Sequence, residues 1–177
     1  VALVLAAGFM EPRESTSIHL VQSGISRLLS LFPQQAINAA ETDEFNRQTT
    51  VEYERIRDFL ILHYHANQRD DSEFWKDRAR APIPDSLMAK IDTFKAHGRL
   101  FRDGDELFTE PGWLQVLVGQ NQLPAGYDPL VNQLPDAELE RFLSTLKRVV
   151  DGAASQLMSH RDYIERYCKT ELPRSSS

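Results

Sequence analysis

The feature that most constrains the fold of this chain is the uninterrupted apolar run at residues 1–8, which ends at Gly8. A run of this length cannot cross a membrane, which takes roughly 20 residues. It is typical of a strand that is buried on both faces of a sheet. Such a strand needs neighbours, and no other segment of the sequence is typical of a parallel sheet. We therefore expect the partner strands to lie upstream.

The rest of the chain is patterned for helices. Ser15, Thr16 and Ser17 are candidate N-caps for an apolar repeat with helical spacing, and Pro33 ends it. Further helices are predicted at about 42–66, from 70, from 85 or 86 to Gly98, at 113–119, from Pro135 and from Ser159. Residues 99–112 and 120–134 are predicted loops, with extended pieces at 99–102 and 106–109. The predicted fold class is mainly α, with one N-terminal β-strand followed by an irregular helical array.

The helix predicted from Pro135 carries an apolar stripe with helical spacing. Because apolar residues on one face of a helix normally face a core, we expect this stripe to be buried. Its members are Leu139, Phe142, Leu143, Leu146, Val149 and Val150.

Charge and cysteine content exclude several classes of function. The net charge is −6 and the isoelectric point is about 5.4, so the electrostatic signature of a nucleic-acid-binding protein is missing. Cys168 is the single cysteine, which excludes a disulfide framework and a cysteine metal cluster and fits the cytoplasm. His63 and His65 are two residues apart on a predicted helix and point in different directions. We therefore expect them to pack and hydrogen-bond, and we predict no metal site.

The segment from Gly8 to Ser17 is the part of the sequence most suited to chemistry. The N–H groups at the start of the following helix can bind an anion, and a glycine lets the backbone approach a ligand. The carboxylate of Glu14, one residue before the caps, can point into the same space. The same pattern is also common in capped helices that have only a solvated glutamate, so the pattern alone leaves both interpretations open.

The residues of this segment and of five later ones resemble the flavin-dependent tryptophan halogenases. The matching segments are residues 8–20 (GFMEPRESTSIHL), 56–65 (IRDFLILHYH), 69–75 (RDDSEFW), 83–87 (IPDSL), 113–120 (WLQVLVGQ) and 127–130 (YDPL). The resemblance implies that residues 1–14 are the last strand and turn of an upstream FAD-binding domain. It implies that 15–172 are a helical substrate-side region and that 173–177 are a tail.

The resemblance also implies an activity and its partners. Family members take FADH2 from a separate flavin reductase, use O2 to oxidise chloride or bromide, and halogenate an electron-rich arene such as tryptophan or indole. The expected partners are that reductase and an aromatic small molecule, without nucleic acid or membrane. A homodimer of the full-length form is consistent with the resemblance.

Site residues follow from the same resemblance. Glu14 and Ser15 are the expected catalytic pair, and the N–H groups of Thr16 and Ser17 are the expected halide site. The remaining expected contacts are Leu5, Gly8 and Ile18 with the flavin, and Phe108 and Trp113 with the substrate. For Phe108 and Trp113, packing in the core is the competing interpretation. His19 either reaches a flavin or substrate edge or has a structural role.

Three departures from the family pattern limit what the resemblance implies. Tryptophan-specific members have glycine where this chain has Ser17, which leaves tryptophan itself in doubt as the substrate. Arg13 stands where leucine is expected, and it either pairs with Glu14 or faces outwards. The dinucleotide-binding glycine motif, the catalytic lysine and a Trp-x-Trp-x-Ile-Pro segment are missing from these residues. We therefore expect the chain alone to be inactive, and a non-catalytic helical interaction module or a flavin monooxygenase remain competing interpretations.

Overall fold

The computed structural model describes residues 8, 10, 11, 15–33, 36–102, 104 and 106–168, and these are mainly helical. The helices are α1 (Thr16–Ser30), α2 (Ala39–His65), α3 (Glu73–Arg80), α4 (Asp85–His97), α5 (Glu110–Gly119), a 3-10 helix (Pro129–Gln133), α6 (Asp136–Gln156) and α7 (His160–Tyr163), which continues as a π-helix (Ile164–Cys168). The mainly helical part of the predicted fold class is confirmed. The predicted N-terminal strand falls on residues 1–7, outside the described residues, and stays a prediction.

The prediction of two extended pieces after α4 is wrong. Residues 99–102 and 106–109 are irregular rather than β-strand. A strand forms only by pairing with another strand. Side chains hold this segment instead, because Glu106 binds Lys90 of α4 at 3.0 Å and Arg102 donates to the backbone oxygen of Glu106 at 2.5 Å.

The chain separates into two compact units, residues 1–128 and 129–177. In the first unit, α2 is the central helix, and α1, α3, α4 and α5 each contact it. Asn38 begins α2 by accepting a hydrogen bond from the N–H of Ala40 at 2.8 Å, so the helix starts three residues before the predicted Thr42. The core of the unit lies between α2, α4 and α5. Its buried residues are Phe59, Leu62, Ala66, Leu87, Ile91, Phe94, Trp113 and Leu117.

The ends of α4 show one confirmed prediction and one that was wrong. Gly98 ends the helix with a φ of 70°, and its N–H donates to Phe94 at 2.7 Å, as expected of a C-terminal glycine. Pro84, rather than Asp85 or Ser86, occupies the N-cap position. Ser86 cannot serve as the cap because it lies within the first turn, where its hydroxyl donates to Asp58 of α2.

In the second unit, the 3-10 helix lies within the loop predicted at 120–134, and α6 follows Pro135 as predicted. The N-cap predicted at Ser159 is confirmed, since its hydroxyl oxygen accepts from the N–H of Asp162 at 3.2 Å. The prediction that the apolar stripe of α6 is buried is wrong. Its residues from 142 to 150 are 50% to 62% exposed. Periodicity shows only which face of α6 is apolar, and burial requires another element to cover that face.

Within the described residues, none of the helices combines the length and the apolar character needed to cross a membrane.

Candidate active site

The start of α1 has an unusual backbone geometry. Ser15 precedes the helix with φ 55° and ψ 26°, in the left-handed region that residues other than glycine seldom adopt. Its side chain makes no capping hydrogen bond. A capping hydroxyl needs an extended backbone at the N-cap, and the left-handed conformation turns it away. Ser15 therefore occupies the predicted N-cap position but makes no capping bond with its side chain, and the strained backbone lies where the sequence predicts a functional turn.

Thr16, the first residue of α1, is fully buried. Its hydroxyl oxygen has no hydrogen-bond partner among the described residues. Ser17 beside it is half-buried. The N–H groups in the first turn of a helix also lack partners within the helix, and the helix dipole makes this end positive. A buried hydroxyl beside such N–H groups suits a small anion that needs several hydrogen-bond donors.

Two residues expected to contact a flavin are described, and a third is not. Gly8 lies against α2, where a Cβ atom added to it would be 3.2 Å from Cε1 of Tyr53. Packing against Tyr53 is thus by itself a reason for glycine at this position. The side chain of Ile18 is 66% exposed. Leu5 lies outside the described residues, as do Arg13 and the expected catalytic Glu14.

A polar group of four residues, the Glu52 cluster, joins α1 to α2. The carboxylate of Glu52 binds the ring Nε2 of His19, the hydroxyl of Ser23 and the guanidinium of Arg27, each at 2.9 Å. Its side chain is 15% exposed, and that of Arg27 is 12% exposed. This arrangement gives His19 the structural role that the sequence left open, because its ring is bound to α2.

A cavity of about 530 Å³ lies beside the residues that precede α1. Glu11 is at its edge and accepts a hydrogen bond from the hydroxyl of Tyr64 on α2. The ring of Tyr64 stacks on that of Trp75, with 5.9 Å between the centroids. Phe74, next in sequence to Trp75, lines the cavity. Three of the segments that resemble the halogenases, residues 8–20, 56–65 and 69–75, therefore meet in space.

The structure places both expected substrate-pocket residues against the core. Trp113 is 3% exposed, and its ring meets that of Phe59 edge to face at 4.9 Å. Phe108 stacks on the ring of Phe59, with 3.8 Å between the two ring centroids. The ammonium of Lys90 lies 4.5 Å from the Trp113 ring centre and also binds Glu106. These contacts are those of packed aromatic residues.

The sequence did not identify the charged residues that connect these elements. Asp58 is buried, accepts from Arg57 at 2.7 Å and receives the hydroxyl of Ser86. Glu106 and Glu52 have similar connecting roles. A signal existed for Glu52 alone, because residues 19, 23 and 27 are spaced by four and place three polar side chains on one face of α1. For Asp58 and Glu106, no local pattern distinguishes a buried carboxylate from a solvated one.

Comparison with known proteins connects this geometry to a family. The family model for tryptophan halogenase matches residues 1–136. The chain belongs to the tryptophan halogenase family. The resemblance of the six sequence segments is thus confirmed.

Individual members of the halogenase family are similar over nearly the whole chain. Xcc4156, a flavin-dependent halogenase from Xanthomonas campestris, is 46% identical with a TM-score of 0.92, over 98% of this chain and 35% of that one. BrvH, a flavin-dependent halogenase from Brevundimonas sp. BAL3, is 39% identical with a TM-score of 0.88, over 93% and 34%. The tryptophan 6-halogenase SttH from Streptomyces toxytricini is 34% identical over 92% of this chain and 32% of its own length. The chain spans about a third of the length of these halogenases.

Proposed function

We propose that the full-length protein is a flavin-dependent halogenase that chlorinates or brominates an electron-rich arene, such as tryptophan or indole, using FADH2, O2 and halide. The observation that carries this proposal is the start of α1. Thr16 is fully buried there with a hydroxyl that lacks a partner among the described residues, within the segment that matches the family. A buried hydroxyl that finds no hydrogen-bond partner costs roughly 1–3 kcal/mol, and a bound halide would supply a partner here.

In this proposal, the N–H groups of Thr16 and Ser17 bind the halide. They are the positive end of a helix of 15 residues, and the buried position of Thr16 keeps water from competing for the anion. The carboxylate of Glu14 lies beside the arene, where it orients the oxidant and stabilises the cationic ring formed during substitution. Ser15 supports that placement, and its backbone is in the left-handed region immediately before α1.

Reduced flavin, when bound, supplies together with O2 the oxidising equivalent that converts halide into hypohalous acid. The residues of this chain proposed to contact it are Leu5, Gly8 and Ile18. Gly8 fits this role because its lack of a side chain, which the close approach of Tyr53 favours, also leaves the backbone accessible. A separate flavin reductase would provide the reduced cofactor, and the full-length form would act as a homodimer in the cytoplasm.

The proposed substrate is an electron-rich aromatic small molecule, and a free indole is favoured over tryptophan. Ser17 replaces the glycine typical of tryptophan-specific members, which supports an indole without the amino-acid group. Phe108 and Trp113 remain the proposed aromatic walls. Both pack on Phe59, and Phe108 is the more exposed of the two, so we propose that Phe108 meets the arene and that Trp113 supports it through Phe59.

A crystal of the full-length protein soaked in bromide tests the halide site directly. We expect an anomalous peak within hydrogen-bond distance of the N–H groups of Thr16 and Ser17. A flavin monooxygenase without halide chemistry would show no such peak. Turnover with a flavin reductase, FAD, NADH and bromide should then give bromoindole. A full-length protein that hydroxylates indole and leaves bromide unused would contradict the proposal.

A further inference from the structure

The Glu52 cluster reaches the first turn of α1. His19 follows Thr16 by three residues, so its bond to Glu52 is made from the first turn of the helix. We propose that Glu52 is a positioning residue that fixes these N–H groups for halide binding. This inference rests on the proposed function, because it concerns the same halide site.

Apolar packing alone would hold α1 loosely. Its buried residues in the described part of the chain are Thr16, Leu20 and Gly24, and Leu20 is the one large apolar side chain among them. Leu20 packs with Ile56 and Leu60 of α2. Dispersion contacts of this kind are not directional, so they tolerate a small rotation or slide of one helix on the other.

The three hydrogen bonds to Glu52 are directional, so they can fix the orientation of α1 on α2. They come from successive turns of α1, since His19, Ser23 and Arg27 are spaced by four residues. Arg27 adds bonds to Gln48 at 3.2 Å and Thr49 at 3.0 Å on the same helix. Bonds from three turns to one carboxylate fix both the rotation of α1 and its position along α2. A helix held this way presents its N-terminal N–H groups in one direction.

The negative charge of Glu52 offers a second explanation, in which the carboxylate acts on halide binding by repulsion rather than by positioning α1. A carboxylate near an anion site repels the anion, although Arg27 at 2.9 Å offsets much of that charge here. If charge were the main effect, removing it would strengthen halide binding. If positioning is the main effect, removing the side chain weakens halide binding. The two explanations therefore predict opposite signs.

The test uses the full-length protein and two readouts for bromide. The first is the KM for bromide during arene bromination, and the second is line broadening of the bromide nuclear magnetic resonance signal, which requires no turnover. We expect Glu52→Ala to raise the KM and weaken binding by about tenfold, because misplacing a binding group by a fraction of an ångström has effects of this order. Glu52→Gln keeps an acceptor oxygen and should lie between wild type and Glu52→Ala. The KM for the arene should change by less than about twofold.

Glu54→Gln is the matched control on the same helix. Glu54 is exposed to solvent, so the same loss of charge there should leave bromide binding unchanged. Thermal melting of each variant checks that the chain remains folded, and Glu52→Gln carries the test if Glu52→Ala does not fold.

Two results would overturn the positioning role: unchanged or tighter bromide binding in both Glu52 variants, or an equal rise in the KM for bromide and for the arene. A wild-type protein that binds bromide but yields no halogenated arene overturns the proposed function alone. A wild-type protein that binds no bromide overturns both.

Discussion

At the scale of single residues, the hydroxyl of Thr16 has either a structural role or a role in halide binding, and a substitution can distinguish the two. It is fully buried, and its hydroxyl oxygen has no partner among the described residues. Valine has nearly the same shape but lacks the hydroxyl. Comparison of threonine with valine at this position therefore changes hydrogen bonding with little change in packing volume.

We predict that Thr16→Val stabilises the chain slightly and weakens halide binding. Removing a buried hydroxyl that has no partner among the described residues should raise the free energy of unfolding by up to about 1 kcal/mol. In the full-length protein the same change should raise the KM for bromide several-fold, because one donor to the anion is lost. Urea denaturation and steady-state kinetics measure the two effects. A loss of stability without a change in the KM would show that the hydroxyl is structural.

Gly98 is a residue whose conformation is set by the helix it ends. Its φ of 70° is strained for residues with a side chain, and its N–H closes the last turn of α4. We predict that Gly98→Ala lowers the free energy of unfolding by about 1 kcal/mol. Gly119→Ala is the control, since an added Cβ there meets no atom within 4 Å and its backbone is helical. Equal melting temperatures for the two variants would contradict the prediction.

At the scale of elements, buried carboxylates hold helices to one another. Asp58 on α2 is almost fully buried and accepts bonds from Arg57 and from Ser86 in the first turn of α4. The two segments that contain them, residues 56–65 and 83–87, were separate matches in the sequence. The contact shows that they form one structural unit.

We predict that Asp58→Ala lowers the free energy of unfolding by about 3 kcal/mol, because it removes a buried charge and leaves its partners unsatisfied. In a double-mutant cycle of Asp58→Ala and Ser86→Ala, the two losses of unfolding free energy should differ from additivity by about 1 kcal/mol or more. Ser72→Ala is the matched control, since this N-cap serine of α3 makes no side-chain cap bond. Strict additivity would mean that the bond between α2 and α4 contributes nothing measurable.

The end of α2 makes stability depend on pH. Burial, and secondarily the positive charge of Lys95, lower the pKa of His65 from its ordinary value of 6.5. The folded chain therefore resists protonation of this ring, whereas the unfolded chain takes up a proton near pH 6.5. Stability should fall as the pH drops below about 6.5, and it should stop falling below the lowered pKa.

We predict that His65→Gln reduces the loss of stability between pH 7.5 and pH 5.5, because the group that binds a proton only in the unfolded state is gone. Urea midpoints at the two pH values, measured for wild type and variant, test this. An equal or larger loss in the variant would exclude His65 as a source of the acid sensitivity.

At the scale of the whole molecule, the chain spans about a third of the length of the halogenases it resembles. The proposed halide site is on α1, but the glycine motif and the lysine that the family uses are not among these residues. We predict that residues 1–177 with a reductase, FAD, NADH and bromide do not brominate indole above a control without protein. Bromoindole above that control, detected by mass spectrometry, would disprove the prediction.

The sequence by itself determined that the chain is mainly helical, roughly where the main helices lie and which segments match the family, and it made the start of α1 a candidate anion site. These features are local: apolar spacing, proline and glycine positions, and a run of matching residues are readable without knowing what a helix packs against. The end of α4 at Gly98 and the N-cap at Ser159 were predictable for this reason.

The tertiary structure alone decided which side chains meet. The bonds from Glu52 to α1 join residues 25 to 33 positions apart, and the bond from Ser86 to Asp58 spans 28. It also decided that Trp113 is in the core and that the apolar stripe of α6 is exposed. The physical reason is that burial and long-range hydrogen bonds depend on how helices dock, whereas sequence periodicity describes only one helix at a time.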